Sequence, residues 1–177
     1  LVIIPHCWFP VTAAITKAQE DEIPLFGWVD DGWLDMPNTP SMNPAEPVKQ
    51  FSAWRKSGFN IKKIGHDRKF ARPYVAAMKK AKFTVVDQPQ LAVVKSEGFR
   101  YIEHKAKIGC LYYCHAEPFL YCVGNVKATK DDEIVIYEKV EDNKRIDVFD
   151  AAVFATIRFL IDTEKVTNAA AWFGDEE

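Results

Sequence analysis

The stretch DVFDAAVFATIRFLI, residues Asp147–Ile161, carries the clearest structural signal in the chain. Its apolar residues recur at helical spacing and form one broad stripe: Val148, Ala151, Ala152, Ala155, Phe159 and Leu160. Two acids, Asp147 and Asp150, stand in the first turn, where the helix dipole favours negative charge. The stretch therefore predicts an amphipathic helix that packs one face against a core.

Upstream of this helix, short apolar runs alternate with helical patterns. Strands are predicted at Ile61–His66 and Phe83–Val86, and a long helix at Leu91–Lys107. Val126–Ala128 and Glu133–Tyr137 have the composition of two strands joined by a charged hairpin turn. The alternation predicts an α/β fold in which helices flank a mixed sheet.

Length and composition indicate one domain. The 177 residues carry a formal net charge of −2, so the bulk charge alone does not point to nucleic acid. We expect a domain over residues 1–161 and a polar C-terminal tail over residues 162–177. No apolar run approaches the ~20 residues of a membrane span, and no GxxxxGK[ST] motif indicates an ATP motor.

The four cysteines are Cys7, Cys110, Cys114 and Cys122, and none of them forms a CxxC pair. A zinc site would need four ligands in a tetrahedral array. We expect buried or half-buried free thiols in a reducing cytosol instead.

Three acids are candidates for chemistry. Asp67 directly follows the predicted strand Ile61–His66, and functional groups gather at the carboxyl ends of strands in open α/β sheets. Asp is also a preferred helix N-cap, so position alone leaves both interpretations open. Asp147 and Asp150 are three residues apart and share one helix face, where an acid inside an apolar stripe is costly unless it is paired or bound to metal.

Carboxylates that converge from a strand end and a helix start favour Mg²⁺ or Mn²⁺ over zinc. Two such ions about 4 Å apart can hydrolyse a phosphodiester bond. Basic residues surround Asp67, and they form either a rim that contacts phosphates or ordinary solvated surface: Lys62, Lys63, Arg68, Lys69 and Arg72.

Several segments, in order, resemble the nuclease domain of large terminases of the HK97-like group of bacteriophages. They are PHCWFP (Pro5–Pro10), IPLFGWVDDGWLDMPNTPSMN (Ile23–Asn43), IGHDR (Ile64–Arg68), GNV (Gly124–Val126) and KRID (Lys144–Asp147). The resemblance covers residues 5–160 and implies an RNase H-like nuclease fold. In that family the first strand and its acid lie upstream of the position of Leu1, so we expect this fragment to lack one metal ligand. Whether the fragment is active without that ligand stays open.

The resemblance implies roles for individual residues. Asp67 would be a metal ligand, Asp147 the ligand from the last helix, and Asp150 a rival or helper of Asp147. Lys139 would contact a phosphate, as Arg68 and Lys69 would if the basic rim binds DNA.

The implied function is a two-metal endonuclease, using Mg²⁺ or Mn²⁺, that cuts concatemeric double-stranded viral DNA during packaging. Its implied partners are the portal protein and the small terminase subunit in the host cytoplasm, with no membrane association. Two alternatives stay open: another RNase H-like nuclease of the junction-resolvase or transposase type, and a non-catalytic docking module for portal or small terminase.

Overall fold

A computed structural model describes residues 1–67, 72–88, 90–131 and 134–173, with side chains described as far as residue 163 of the last helix. The helices in this part of the chain are α1 (Val11–Glu20), α2 (Leu25–Asp30), α3 (Ala45–Lys56), α4 (Arg72–Lys80), α5 (Ala92–Lys107), α6 (Glu117–Gly124) and α7 (Asp147–Phe173). The strands are β1 (Cys7–Trp8), β2 (Leu34–Asp35), β3 (Ile64–His66), β4 (Val85–Asp87), β5 (Val126–Asp131) and β6 (Ile134–Lys139).

The strands pair two by two. β1 pairs with β2 and β3 with β4, both in parallel, whereas β5 and β6 form an antiparallel hairpin. A single parallel bridge joins Val2 to Tyr112. The mixed α/β class is thus confirmed, but the described residues form three two-stranded sheets rather than one mixed sheet.

Element boundaries differ from the sequence prediction mainly in length. The strand predicted over Ile61–His66 pairs only at its last three residues, because Thr84–Asp87 offers partners to that part alone. Helix α7 begins at Asp147, as predicted, and continues past Ile161 to Phe173. The division into a domain over 1–161 and a tail over 162–177 stays a prediction.

The principal core lies where α5, α6, β6 and α7 meet. Its buried members come from all four elements: Ile102, Phe119, Cys122, Tyr137, Phe149, Ala152, Val153, Phe154 and Ile157, together with Ala116 just before α6. Two smaller cores surround Trp28 and Met78. Burial of large apolar side chains contributes roughly 1.5–3 kcal/mol for each, so this region dominates the stability of the fold.

Gly98 sets the closest approach between α5 and α7. A Cβ at this position would lie 2.8 Å from Ile157 Cγ1 and 2.9 Å from both Val153 Cγ1 and the Val153 carbonyl oxygen. Two of these atoms belong to side chains almost without exposure, and the third is backbone. The helices can therefore cross at this distance only because residue 98 has no side chain.

Polar bonds fix the neighbours of these two helices. The Val135 amide of β6 donates to Ser96 Oγ on α5 at 2.8 Å. Arg145, two residues before α7, donates to the buried Asp21 at 2.8 Å. The start of α7 is thereby tied to the end of α1.

Replacing Gly98 with alanine should destabilise the fold. The added methyl overlaps buried side chains and a carbonyl oxygen, so we expect a loss of about 1–3 kcal/mol in the free energy of unfolding. Urea unfolding followed by circular dichroism measures it. The control is Gly27→Ala in α2, where a Cβ would meet nothing within 4 Å; it should be neutral or slightly stabilising, since alanine is the better helix former. Equal effects of the two changes would contradict the tight crossing.

Replacing Asp21 with asparagine should change the acid limb of the stability profile. The hydrogen bond from Arg145 lowers the pKa of Asp21 below its ordinary 3.8. A lowered folded-state pKa contributes stability above the ordinary pKa, and that contribution disappears as pH falls through the lowered value. We expect Asp21→Asn to be less stable than wild type near pH 6 and the difference to close below about pH 3.8. Asp31→Asn, at an exposed position, should show no such convergence in the same urea titrations.

Candidate functional site

Asp150 is held by two side chains from different elements. Tyr137 of β6 donates its hydroxyl to Asp150 Oδ1, and Lys95 Nζ of α5 lies 2.6 Å from the same oxygen. The second carboxylate oxygen, Oδ2, makes no hydrogen bond or ion pair within the described part of the chain. The acid is therefore fixed through one oxygen and open through the other.

Aromatic rings enclose this contact. Lys95 Nζ lies 4.5 Å from the centroid of the Tyr137 ring and 5.6 Å from that of Phe154. Phe99 stacks on Tyr137 at 5.5 Å, and Phe149 meets it edge-on at 5.5 Å. Burial raises the pKa of the Tyr137 phenol, and its hydrogen bond to Asp150 raises it further, so Tyr137 stays protonated and donates a hydrogen bond to the carboxylate.

Asp147 lies in different surroundings, at the exposed first residue of α7. Burial raises the pKa of the Cys122 thiol of α6, and the Val148 and Phe149 amides of the first turn of α7 partly oppose that rise. Asp147 carries its charge close to the thiols of Cys7 and Cys122 and opposes their ionisation. Burial is the larger cause, and it raises the pKa of Cys7 to about 12.

The side chains of Asp147 and Asp150 project from α7 in different directions. At 100° per residue, Asp147 projects within about 20° of Arg158, whereas Asp150 is rotated about 80° from Arg158 and projects close to Ile157. Arg158 faces β3, because its Cγ lies 3.1 Å from the position of a Cβ on Gly65. Ile157 faces α5 at Gly98. Asp147 is thus on the β3 side of α7, and Asp150 is turned toward α5.

Strand β3 runs toward the start of α7. Lys63 Nζ pairs with Asp162 Oδ1 at 2.5 Å, and Gly65 approaches Arg158, so the strand advances as the helix residue number falls. From residue 63 to residue 65 the strand region advances about 6 Å, and from residue 162 to residue 158 the helix advances about the same distance. The exposed Asp67 therefore lies at the end of β3 that points to the two helix acids.

The described residues do not complete a metal site on their own. No three side chains of His, Cys, Asp or Glu in this part of the structure lie close enough to hold one ion. His66, beside Asp67, pairs instead with Asp87 Oδ1 at 3.1 Å.

The structure describes only some of the basic residues that were predicted to contact phosphates. Arg68 and Lys69 lie outside the described residues. Lys139 ends β6 opposite Val126, half-buried, and no ion pair is seen for it in the described structure. Lys63 faces α7 through its bond to Asp162 rather than standing free on a rim.

The prediction that the cysteines are buried or half-buried is wrong for two of the four. All four are free thiols; Cys122 is buried and Cys7 partly so, but Cys110 and Cys114 are exposed. The reason is local. Cys110 follows Gly109 in the turn after α5, and Cys114 lies in a turn with a positive φ of 57°, both at the surface.

Sequence reasoning missed Lys95 and Tyr137. The sequence indicates only that they lie in a helix and a strand, because their partnership with Asp150 joins three separate elements, α5, β6 and α7. The available signal was the cost of an acid in an apolar stripe, which requires a partner without saying which residue supplies it.

Comparison with known proteins gives one similar fold. No protein-family model matches the chain, and no curated protein matches it. The crystal structure of the HK97 bacteriophage large terminase is similar, with a TM-score of 0.74 and 17% sequence identity, over 85% of this chain and 32% of that one. The chain thus has a terminase-like fold and spans about a third of that protein. In the described residues, no helix is both long and apolar enough to cross a membrane.

Removing the Tyr137 hydroxyl should weaken the fold measurably. Tyr137→Phe keeps the ring packing but deletes a hydrogen bond to a partly buried carboxylate, so we expect a loss of about 1–2 kcal/mol in unfolding free energy. Tyr112→Phe, at an exposed position, should cost nothing in the same urea experiment. An unchanged stability for Tyr137→Phe would mean that the bond contributes nothing.

Proposed function

We propose that the chain is the nuclease domain of a large terminase, with an RNase H-like fold, and that it cuts concatemeric double-stranded DNA during genome packaging. The observation that carries the proposal is the likeness to the HK97 bacteriophage large terminase over 85% of this chain. The sequence resemblance supports it independently, because its segments occur in order from residue 5 to residue 160.

The arrangement of acids supports a metal-dependent reaction. Asp67 ends a strand directed toward the start of α7, Asp147 projects to the same side of that helix, and Asp150 presents one open oxygen. All three offer hard oxygen ligands, which suit Mg²⁺ or Mn²⁺. We propose these three acids as ligands of a two-ion site, although the described residues bring no three such side chains close enough to hold one ion.

Bound in this way, two divalent ions would activate water and stabilise the leaving oxygen of the scissile phosphate. The residues of the chain would place the ions and the DNA. Lys139, with Arg68 and Lys69, would hold neighbouring phosphates, a contact that reads no base sequence. The portal protein, the small terminase subunit and the host cytoplasm are the partners and location that follow from this role.

Cleavage by the protein at its full natural length tests the proposal. We expect Mn²⁺-dependent cutting of linear double-stranded DNA, abolished by EDTA, with no preference for a four-way junction. Asp67→Asn and Asp147→Asn should each reduce the rate by roughly a hundredfold or more, since even partners of metal ligands cost 10–100-fold.

The matched control is Asp142→Asn, an exposed acid in the loop before α7, which should cut at the wild-type rate. Selective cutting of the junction would favour a resolvase-type enzyme. Absence of Mn²⁺ binding and of cutting in the wild type would favour a non-catalytic docking module.

A further inference from the structure

A half-buried arginine of α7 and a buried glutamine meet above Gly65 of β3. A Cβ on Gly65 would lie 3.1 Å from Arg158 Cγ, 3.6 Å from Arg158 Cδ and 3.5 Å from Gln88 Oε1. Gln88 directly follows β4 and is only 3% exposed. The two side chains therefore converge near the carboxyl ends of β3 and β4.

The buried polar atoms of this cluster have no hydrogen-bond partner in the described structure. They are Oε1 and Nε2 of the Gln88 amide and Nε of Arg158. Each such atom costs free energy, and native proteins bury few of them. Of the Arg158 guanidinium only Nε is buried in this way, so its terminal amino groups remain accessible at the surface.

The charge of Arg158 has no counter-ion within the described part of the chain, although two acids lie nearby. Asp162, one turn further along α7, pairs with Lys63 at 2.5 Å, and Asp87 of β4 pairs with His66 at 3.1 Å. A half-buried guanidinium without a carboxylate is costly. Its planar set of N–H donors matches the oxygens of a phosphate, so an incoming phosphate would offset that cost.

The cluster lies beside the acid to which the proposed function gives a role on β3. Asp67 follows Gly65 by two residues, which is about 7 Å of extended chain, and its side chain is exposed. A cation close to this carboxylate would reduce the repulsion that it exerts on the DNA backbone. Arg158 can therefore contribute to holding DNA near Asp67.

We propose that Arg158 binds a phosphate of the DNA backbone through its terminal amino groups and that Gln88 is a positioning residue for it. Gln88 Oε1 is an acceptor and Arg158 Nε–H a donor, and both are buried and unpaired in the described structure. Rotation of the guanidinium would let Nε–H donate to Oε1, which would fix the terminal amino groups for the phosphate. The inference rests on the proposed function, because it adds a DNA contact to the same site.

DNA binding without divalent ions tests the role of Arg158 separately from cleavage. The affinity of the protein at its full natural length for a labelled duplex is measured by fluorescence anisotropy in EDTA at several salt concentrations. Arg158→Met keeps the apolar stem above Gly65 and removes the charge. We expect about tenfold weaker binding and a salt slope lower by about one, because one charge-assisted phosphate contact is lost.

Two further variants define the specificity of this effect. Arg158→Lys keeps the charge but loses the planar set of donors, so it should recover only part of the lost affinity. Lys79→Met, at the exposed end of α4, is the matched control for loss of one cation and should bind the duplex as the wild type does. Circular dichroism confirms that each variant is folded.

Gln88→Met distinguishes positioning from a purely structural role. The change removes two unpartnered buried polar atoms and keeps a side chain of similar length, so the free energy of unfolding in urea should stay equal or rise. The same variant should bind the duplex about threefold more weakly, because the long Arg158 side chain is then ordered only at binding.

Other outcomes overturn the inference in distinguishable ways. Unchanged duplex affinity in folded Arg158→Met overturns it and leaves the proposed function standing if the protein still cuts DNA with Mn²⁺. Lower stability with unchanged duplex affinity in Gln88→Met overturns the positioning role. Inorganic phosphate that raises the melting temperature of the wild type but not of Arg158→Met, with equal duplex affinities, assigns Arg158 to free phosphate instead of DNA. Failure of the wild type to bind duplex DNA overturns the inference and the proposed function together.

Discussion

The close crossing of α5 and α7 at Gly98 is the constraint on which the rest of the molecule depends. A side chain at residue 98 would overlap Val153 and Ile157, so the two helices reach this separation only at a glycine. Lys95 lies one turn before Gly98 on α5, and Asp150 lies about one turn before Val153 on α7. The separation that closes the core therefore also fixes the 2.6 Å contact between Lys95 and Asp150.

Helix α7 is central to the packing of the fold, because its different faces contact different elements. One face packs on α5 at Gly98, another lies along β3 at Gly65, and its first turn packs through Phe149 into the core that contains Cys122 of α6. Gly65 allows Arg158 to approach the strand beside Gln88, whose buried side-chain amide has no hydrogen-bond partner in the described structure. Gly98 and Gly65 thus both lie where another element packs closely against α7. The same helix therefore contacts α5, which carries Lys95, and β3, which precedes Asp67.

The spacing of apolar residues was sufficient to predict the helices with a clear period. It was insufficient to predict side-chain contacts between elements distant in the sequence. The apolar stripe from Asp147 correctly predicted the start of α7, and α5 was predicted within one residue. The apolar run Phe119–Val123 gave no helical period, because in α6 nearly every side of the helix is apolar. The penalty of Gly98 in a helix was visible in the sequence, but its reason, the crossing with α7, was not. The role of Lys95 could not be predicted for the same reason, because its partners belong to two other elements, β6 and α7.

The sequence alone also could not show that Asp147 and Asp150 have different surroundings. Spacing alone put Asp147 and Asp150 on one face, yet residues three apart differ by about 60° around the axis. In a helix packed on two sides, that angle is enough to give the acids different neighbours: thiols and solvent for Asp147, an ammonium and a phenol for Asp150. An acid in an apolar stripe needs compensation, and Asp150 obtains it from the protein itself. Asp147, exposed and on the side of β3, keeps its charge available to whatever approaches from the end of that strand.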